Sequence, residues 1–190
     1  VESIIAVSPK LAQSVYEAIF AHDEKSEEST CLGSSAILPL RSTRRQDFHS
    51  NYYALKEAYA NFLSSSVPYA VGALINILFH YINRRHSYWG RKQEIHNFQF
   101  QGQDTKVTTD GSDSWDRGDV YQRDEPIEML NDFETYLKSI SGDISDAPAR
   151  KALLLAVCNN KSPAVLWRRI LRVAASFPDT LGMEIKELIW

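Results

Sequence analysis

The sequence predicts a mainly α-helical fold, a solenoid-like array of stacked antiparallel helical hairpins carrying one β-hairpin and acidic-loop insertion. Three observations lead there. Apolar residues recur at helical spacing over residues 8–85 and again over 124–190. Between residues 93 and 119 that spacing stops, and the side chains alternate or carry β-branches. Short polar breaks separate the helical stretches, which forces neighbours to run antiparallel. The chain therefore divides into an N-terminal helical part (1–92), the insertion (93–119) and a C-terminal helical part (120–190), expected to form one compact fragment.

Each element has a local cause. Ser8 and Pro9 supply an N-cap and a proline at the first helical position, opening a helix to about Ala21 with Leu11, Val15, Ala18 and Ile19 as its inner stripe. Residues 22–35 are polar and read as a loop; residues 36–40 are apolar and held extended by Pro39. Thr43 and Gln46 match a capping box for a helix to about Leu63, whose Phe48, Tyr52, Leu55, Tyr59 and Phe62 share a face. Pro68 opens the next helix, apolar over a wide arc, with Gly72, Asn76, His80 and Asn83 on a narrow polar face. Its apolar run, residues 67–82, is too short for a typical membrane span and fits a helix sandwiched in a protein core.

The alternating residues 95–101 and the β-branched residues 105–109 form the hairpin, with Gly102, Gln103 and Asp104 as the turn. Asp124, Glu125 and Pro126 open a helix to about Ile140 with Met129, Leu130, Phe133, Leu137 and Ile140 inward, and Ser141-Gly142-Asp143 breaks it. Leu153 to Val157 are apolar all round and belong inside. Ser162-Pro163 opens a helix burying Leu166, Trp167, Ile170, Leu171, Ala174 and Phe177, with Arg168, Arg169 and Arg172 outward; Pro178-Asp179 starts the last helix.

At 190 residues, 44% hydrophobic and 24% charged, the chain has the composition of a globular domain. A net charge of −3 gives no global pull toward nucleic acid or anionic membrane. The charge is uneven: residues 38–98 hold eight Lys/Arg against three Asp/Glu, and residues 101–146 hold four against twelve. Two cysteines, Cys31 and Cys158, without a CxxC partner suit a reduced cytoplasmic setting. The ends, Val1 without a methionine and Trp190 without a helix stop, suggest a piece of a longer protein.

Phosphate-binding loops, HExxH and GxSxG are absent from the sequence, and no cofactor or metal is expected. The acidic loop from Asp110 to Asp119 lacks the alternate-position acids and closing glutamate of a calcium loop, and reads as a capped, solvated loop anchored by Trp115. Arg44 and His49 satisfy the R-x4-H spacing of helical HEPN-type ribonucleases, in which arginine stabilises phosphate charge and histidine moves protons. On a regular helix the two lie about 140° apart, which weakens that alternative. The basic clusters Arg41/Arg44/Arg45 and Arg84/Arg85 offer a nucleic-acid-binding alternative. Arg168 and Arg172, at i and i+4, repel each other and could await an acidic partner. Candidate interaction residues are thus Arg41, Arg44, Arg45, Asp47, Arg84, Arg85, Arg168 and Arg172, facing a protein partner or neighbouring domains, with nucleic acid less favoured and no membrane.

Residues 37–48 (ILPLRSTRRQDF), preceded by residues 16–22 (YEAIFAH), resemble the region between the nucleotide-binding module and the helical array of large bacterial STAND-type NTPases. Asp110-Gly111-Ser112 with Trp115, residues 163–169 (PAVLWRR) and Phe177-Pro178 add to the likeness. That group, including antiviral AVAST-type members, is implied to sense an intruding protein through helical repeats, bind ATP and oligomerise. The NTPase motifs themselves lie outside this sequence. The resemblance therefore implies a non-catalytic scaffold or sensor segment.

Overall fold

The computed structural model describes residues 2–22, 24–25, 43–85, 94–116 and 126–189. They are mainly helical, with a small three-stranded sheet. The helices are α1 (Glu2–Val7), α2 (Pro9–Ala21), α3 (Thr43–Glu57), α4 (Tyr59–Ser65), α5 (Val67–Arg85), α6 (Ile127–Ser141), α7 (Ala147–Cys158) and α8 (Ala164–Ser176). The strands are β1 (Glu94–Phe100), β2 (Gln103–Thr109) and β3 (Ser162–Pro163). Helix α5 packs on α2 and α7, and α6 packs on α4 and α8; α4–α5 and α6–α7 contacts join the two rows. One apolar core runs from Ile5 to Ile185 through both helical parts and the sheet.

The N-terminal packing turns on aromatic residues. The buried face of α2 is Ala12, Tyr16 and Phe20, not the Leu11 stripe that the sequence suggests; Leu11 is 54% exposed. Tyr16 stacks on Phe20 and Phe62, and its hydroxyl donates to the Leu55 carbonyl at 2.7 Å. Large rings bury more apolar area than Leu11 would, and they set the rotation of the helix. The stretch expected as one helix from Thr43 to Leu63 breaks at Ala58, giving α3 and α4. The narrow polar face of α5 meets α2. A Cβ at Gly72 would come within 2.9 Å of the Gln13 amide, and Asn76 and Gln13 each donate to Glu17 Oε1 at 2.7 Å.

The hairpin turn is tighter than the sequence reading placed it. Gln101 (φ 49°) and Gly102 (φ 76°) form the two-residue loop, in the paired left-handed conformation that matches strand twist. Phe98 and Phe100 from β1 pack edge-on against Trp167 of α8. A third strand was not expected: Ser162-Pro163 pairs in parallel with Val107-Thr108 before α8 begins at Ala164. The Trp167 indole N–H donates to Ser162 Oγ at 2.7 Å, which binds sheet to helix. The segment after Pro178 is a π-helical turn (Pro178–Gly182) and a 3₁₀ turn (Lys186–Ile189) rather than one regular helix.

The C-terminal end of α6 is closed by side chains from elsewhere. Arg150, 2% exposed, donates to the Ile140 carbonyl at 2.7 Å and the Asp143 carbonyl at 2.5 Å, and meets Glu184 at 2.8 Å. Thr180 adds a bond to the Ser141 carbonyl at 2.6 Å. These satisfy carbonyls that a helix end leaves without intrahelical partners.

The turn provides a test. Gly102→Ala places a Cβ at positive φ with open space around it, so only backbone strain acts, and stability in urea is expected to fall by about 1 kcal/mol. An unchanged unfolding midpoint would contradict the turn geometry.

Candidate functional site

Two elements bring a dense cluster of charge together among the described residues. The first part of the acidic loop folds into a 3₁₀ turn, Gly111–Asp116, started by Asp110, whose Oδ1 accepts from the Ser112 N–H at 2.9 Å; residues 117–119 lie outside the described residues. Trp115 is buried and anchors it, as expected. The loop is not wholly solvated, however: the Asp116 side chain is 1% exposed. Across from it, α6 presents Glu134 on its buried side.

Between these carboxylates lies Arg169, 5% exposed and therefore inside rather than on the outer face of α8. Its Nε donates to Asp116 Oδ1 at 2.9 Å, and its Nη1 donates to Glu134 Oε2 and to Asn131 Oδ1, each at 2.8 Å. A guanidinium leaves water at a cost of several kcal/mol unless carboxylates meet it. The inner face of α8 is thus set by Asp116 and Glu134 as much as by Leu166, Ile170 and Val173, while Leu171, expected inward, is 45% exposed.

Arg168 and Arg172 reach the same two acids from outside. Arg168 Nε lies 3.3 Å from Asp116 Oδ2; Arg172 contacts Glu134 and lies 3.9 Å from Asp116. Lys138, one turn along α6, sits 2.8 Å from Glu134 Oε1. Burial alone pushes the Glu134 carboxyl up, but hydrogen bonds from Arg172, Lys138 and Arg169 outweigh it and hold the pKa at about 2. The Arg172 guanidinium is correspondingly raised, chiefly by its bond to Glu134. A carboxylate so fully ionised is a poor proton carrier near neutrality. The cluster itself lines an open concavity of about 430 Å³, in which Asp116, Glu134, Arg169 and Arg172 are joined by Trp115, Ile127, Asn131, Thr135 and Lys138.

The other sequence candidates lie apart. Arg44, 66% exposed, pairs with Glu24 at 3.1 Å, and the same carboxylate sits 3.1 Å from His22. His49 packs edge-on against Phe48, and among the described residues no hydrogen bond or ion pair joins it to Arg44. Arg45 is half-buried with partners of its own. Asp47 is exposed on α3, where its carbonyl accepts from Asn51. Arg84 lies exposed and engaged at the end of α5. Arg41 and the side chain of Arg85 lie outside the described residues. Among the described residues no group of three or more His, Cys, Asp or Glu could hold a metal, and no helix is long and apolar enough to cross a membrane.

Sequence reasoning missed Asp116, Glu134, Arg169, Asn131 and Lys138. The one available signal was the Glu134–Lys138 spacing of four on a helix, which is common on solvated faces. No family model, no curated protein and no solved structure matches this chain.

Two outcomes check this electrostatic arrangement. Glu134→Gln leaves Arg169 half-compensated inside and is expected to cost about 3 kcal/mol or more in urea unfolding. The wild-type carboxylate is depressed from 4.5 to about 2, so its contribution is complete above about pH 4.5 and is lost as pH falls through 2. The stability gap to Glu134→Gln should therefore close across that window. Asp132 runs the other way: burial, then the charges of Glu128 and Glu57, raise its carboxyl. Asp132→Asn is expected to raise Tm at pH 7 and to leave it unchanged at pH 3, where the wild-type group is neutral too.

Proposed function

We propose that this chain is a non-catalytic helical scaffold or protein-interaction segment of a larger bacterial STAND-like ATP-binding protein, cytoplasmic and acting in antiviral sensing. In that reading its helices belong to a solenoid-like array, and its partners are a sensed protein or neighbouring domains of the parent chain. The observation that carries it is the use made of charge. The arginines of α8, the richest basic cluster among the described helices, act as fasteners that clamp α6 and the 3₁₀ turn together. A shared apolar core through both helical parts supports the same view, since it suits a rigid segment that presents surfaces.

The ribonuclease alternative asks Arg44 and His49 to work on one phosphate. Arg44 instead pairs with Glu24, on a different side of α3 from His49. No observation favours that reading over the scaffold.

The test is turnover by purified protein. ATP hydrolysis and RNA cleavage are expected to stay at background, and His49→Ala to change neither. RNA cleavage that disappears in His49→Ala with the circular dichroism spectrum retained would replace the scaffold reading with a nuclease.

A further inference from the structure

We propose that the free edge of β1 is a self-association surface, to which β1 of a second copy of this chain adds antiparallel about Asn97 and closes a two-fold dimer. Self-pairing goes beyond the scaffold reading and does not depend on it.

The sheet guards one of its edges and leaves the other open. Its strand order is β1-β2-β3. At the far edge β3 is two residues long and contains Pro163, which makes a short border poor in donors. β1 is seven residues long and holds no proline, lysine or arginine. It pairs with β2 one to one from Glu94↔Thr109 to Phe100↔Gln103, so no bulge turns it aside. Residues 94–97 and Gln99 are exposed, Ile95 by 50%. Among the described residues no strand pairs with the outer side of β1.

The hairpin decides which backbone groups lie on that side. Its two-residue loop makes Phe100 and Gln103 the hydrogen-bonded pair that closes it, and bonded pairs alternate from there. Phe98 and His96 therefore bond to β2, while Ile95, Asn97 and Gln99 turn their N–H and C=O groups outward. A separate contact agrees. Ser162 Oγ donates to the Lys106 carbonyl at 3.4 Å, which places that carbonyl on the β3 side. Asn97, paired with Lys106, faces the other way.

The strand's own residues select a second copy. Glu94 is its single formal charge, with His96 neutral. Parallel addition would set two Glu94 carboxylates side by side, where like charges repel. Antiparallel addition about Asn97 separates them by six residues of strand rise, about 20 Å. In that register Ile95 lies opposite the partner's Gln99 and His96 opposite the partner's Phe98. Asn97 lies opposite the partner's Asn97, with an amide donor and acceptor on each side. The outward groups of residues 95, 97 and 99 match one another, so the contact is isologous and complete with two copies. Two three-stranded sheets then join into one whose outer borders are both β3, and growth stops there. A contact this narrow belongs to the weak, concentration-dependent class.

The test is sedimentation equilibrium with residue-resolved amide exchange by NMR, on the wild-type chain at about 20 μM and about 1 mM. A monomer–dimer equilibrium is expected, with no larger species. Exchange at the Ile95, Asn97 and Gln99 amides should slow about threefold to fivefold at the higher concentration. The His96 and Phe98 amides, already bonded to β2, should not change. Asn97→Pro removes an outward N–H and none from the β1–β2 ladder, and should be monomeric at both concentrations with its Tm within a few degrees. A monomer at both concentrations, species larger than a dimer, slowed exchange confined to other residues, or dimers that persist in folded Asn97→Pro would each overturn the proposal. If Asn97→Pro does not fold, the alternation of exchange along residues 95–99 of the wild type decides alone: present, it upholds the edge contact, and absent, it removes it.

Discussion

Arg169 cannot be inside this protein alone. A buried guanidinium requires carboxylates at hydrogen-bond distance, and the only way to supply two is to bring separate parts of the chain to it. Asp116 comes from the 3₁₀ turn after the hairpin, and Glu134 from α6. The demand of one side chain thus fixes the approach of α6 to α8 and ends the hairpin insertion against the helices. Trp167, two residues before Arg169, holds the other end of the insertion through Phe98, Phe100 and Ser162. A two-stranded ribbon that would be marginal alone is seated at both ends by neighbouring positions of one helix.

The packing of α5 on α2 is organised by close approach around one carboxylate. Gly72 lets α5 come near enough to α2 for Gln13 to lie over its backbone, and Asn76 closes the contact through Glu17. Tyr16 and Tyr59 bury whole rings and still satisfy their hydroxyls, on the Leu55 and Ala70 carbonyls. Both hydroxyls are raised well out of the ordinary range, first by burial, so they remain neutral donors. The polar groups in this region are anchors within the packing, as buried groups must be.

Much of the helix layout was legible because spacing of apolar residues encodes it directly. The inner residues of α6, Met129, Leu130, Phe133, Leu137 and Ile140, are all buried as their periodicity requires. The face of α2 was misread because Leu11 and Val15 score as apolar while Tyr16 and Phe20 carry the packing; periodicity does not weigh ring area. Arg169 was misread for a related reason. A sequence window assigns arginine to solvent, and the acids that reverse this lie 53 and 35 residues away. The strand at Ser162-Pro163 carries no local signal at all, since a proline before a helix looks like a start and its pairing to Val107-Thr108 is purely tertiary. Of the candidate surface, Arg168 and Arg172 stand out from spacing alone, but the carboxylates that they pair with, Asp116 and Glu134, belong to long-range structure.

Cys158 closes α7 against β2, 5% exposed, its thiol pushed up by burial more than the Thr105 hydroxyl lowers it. A neutral, enclosed sulfur neither attacks nor is attacked while the seam between helix and sheet stays shut. Its alkylation therefore follows the opening of that seam and not the strength of the reagent. The cysteine is a built-in timer, and its rate reports how often the C-terminal half breathes.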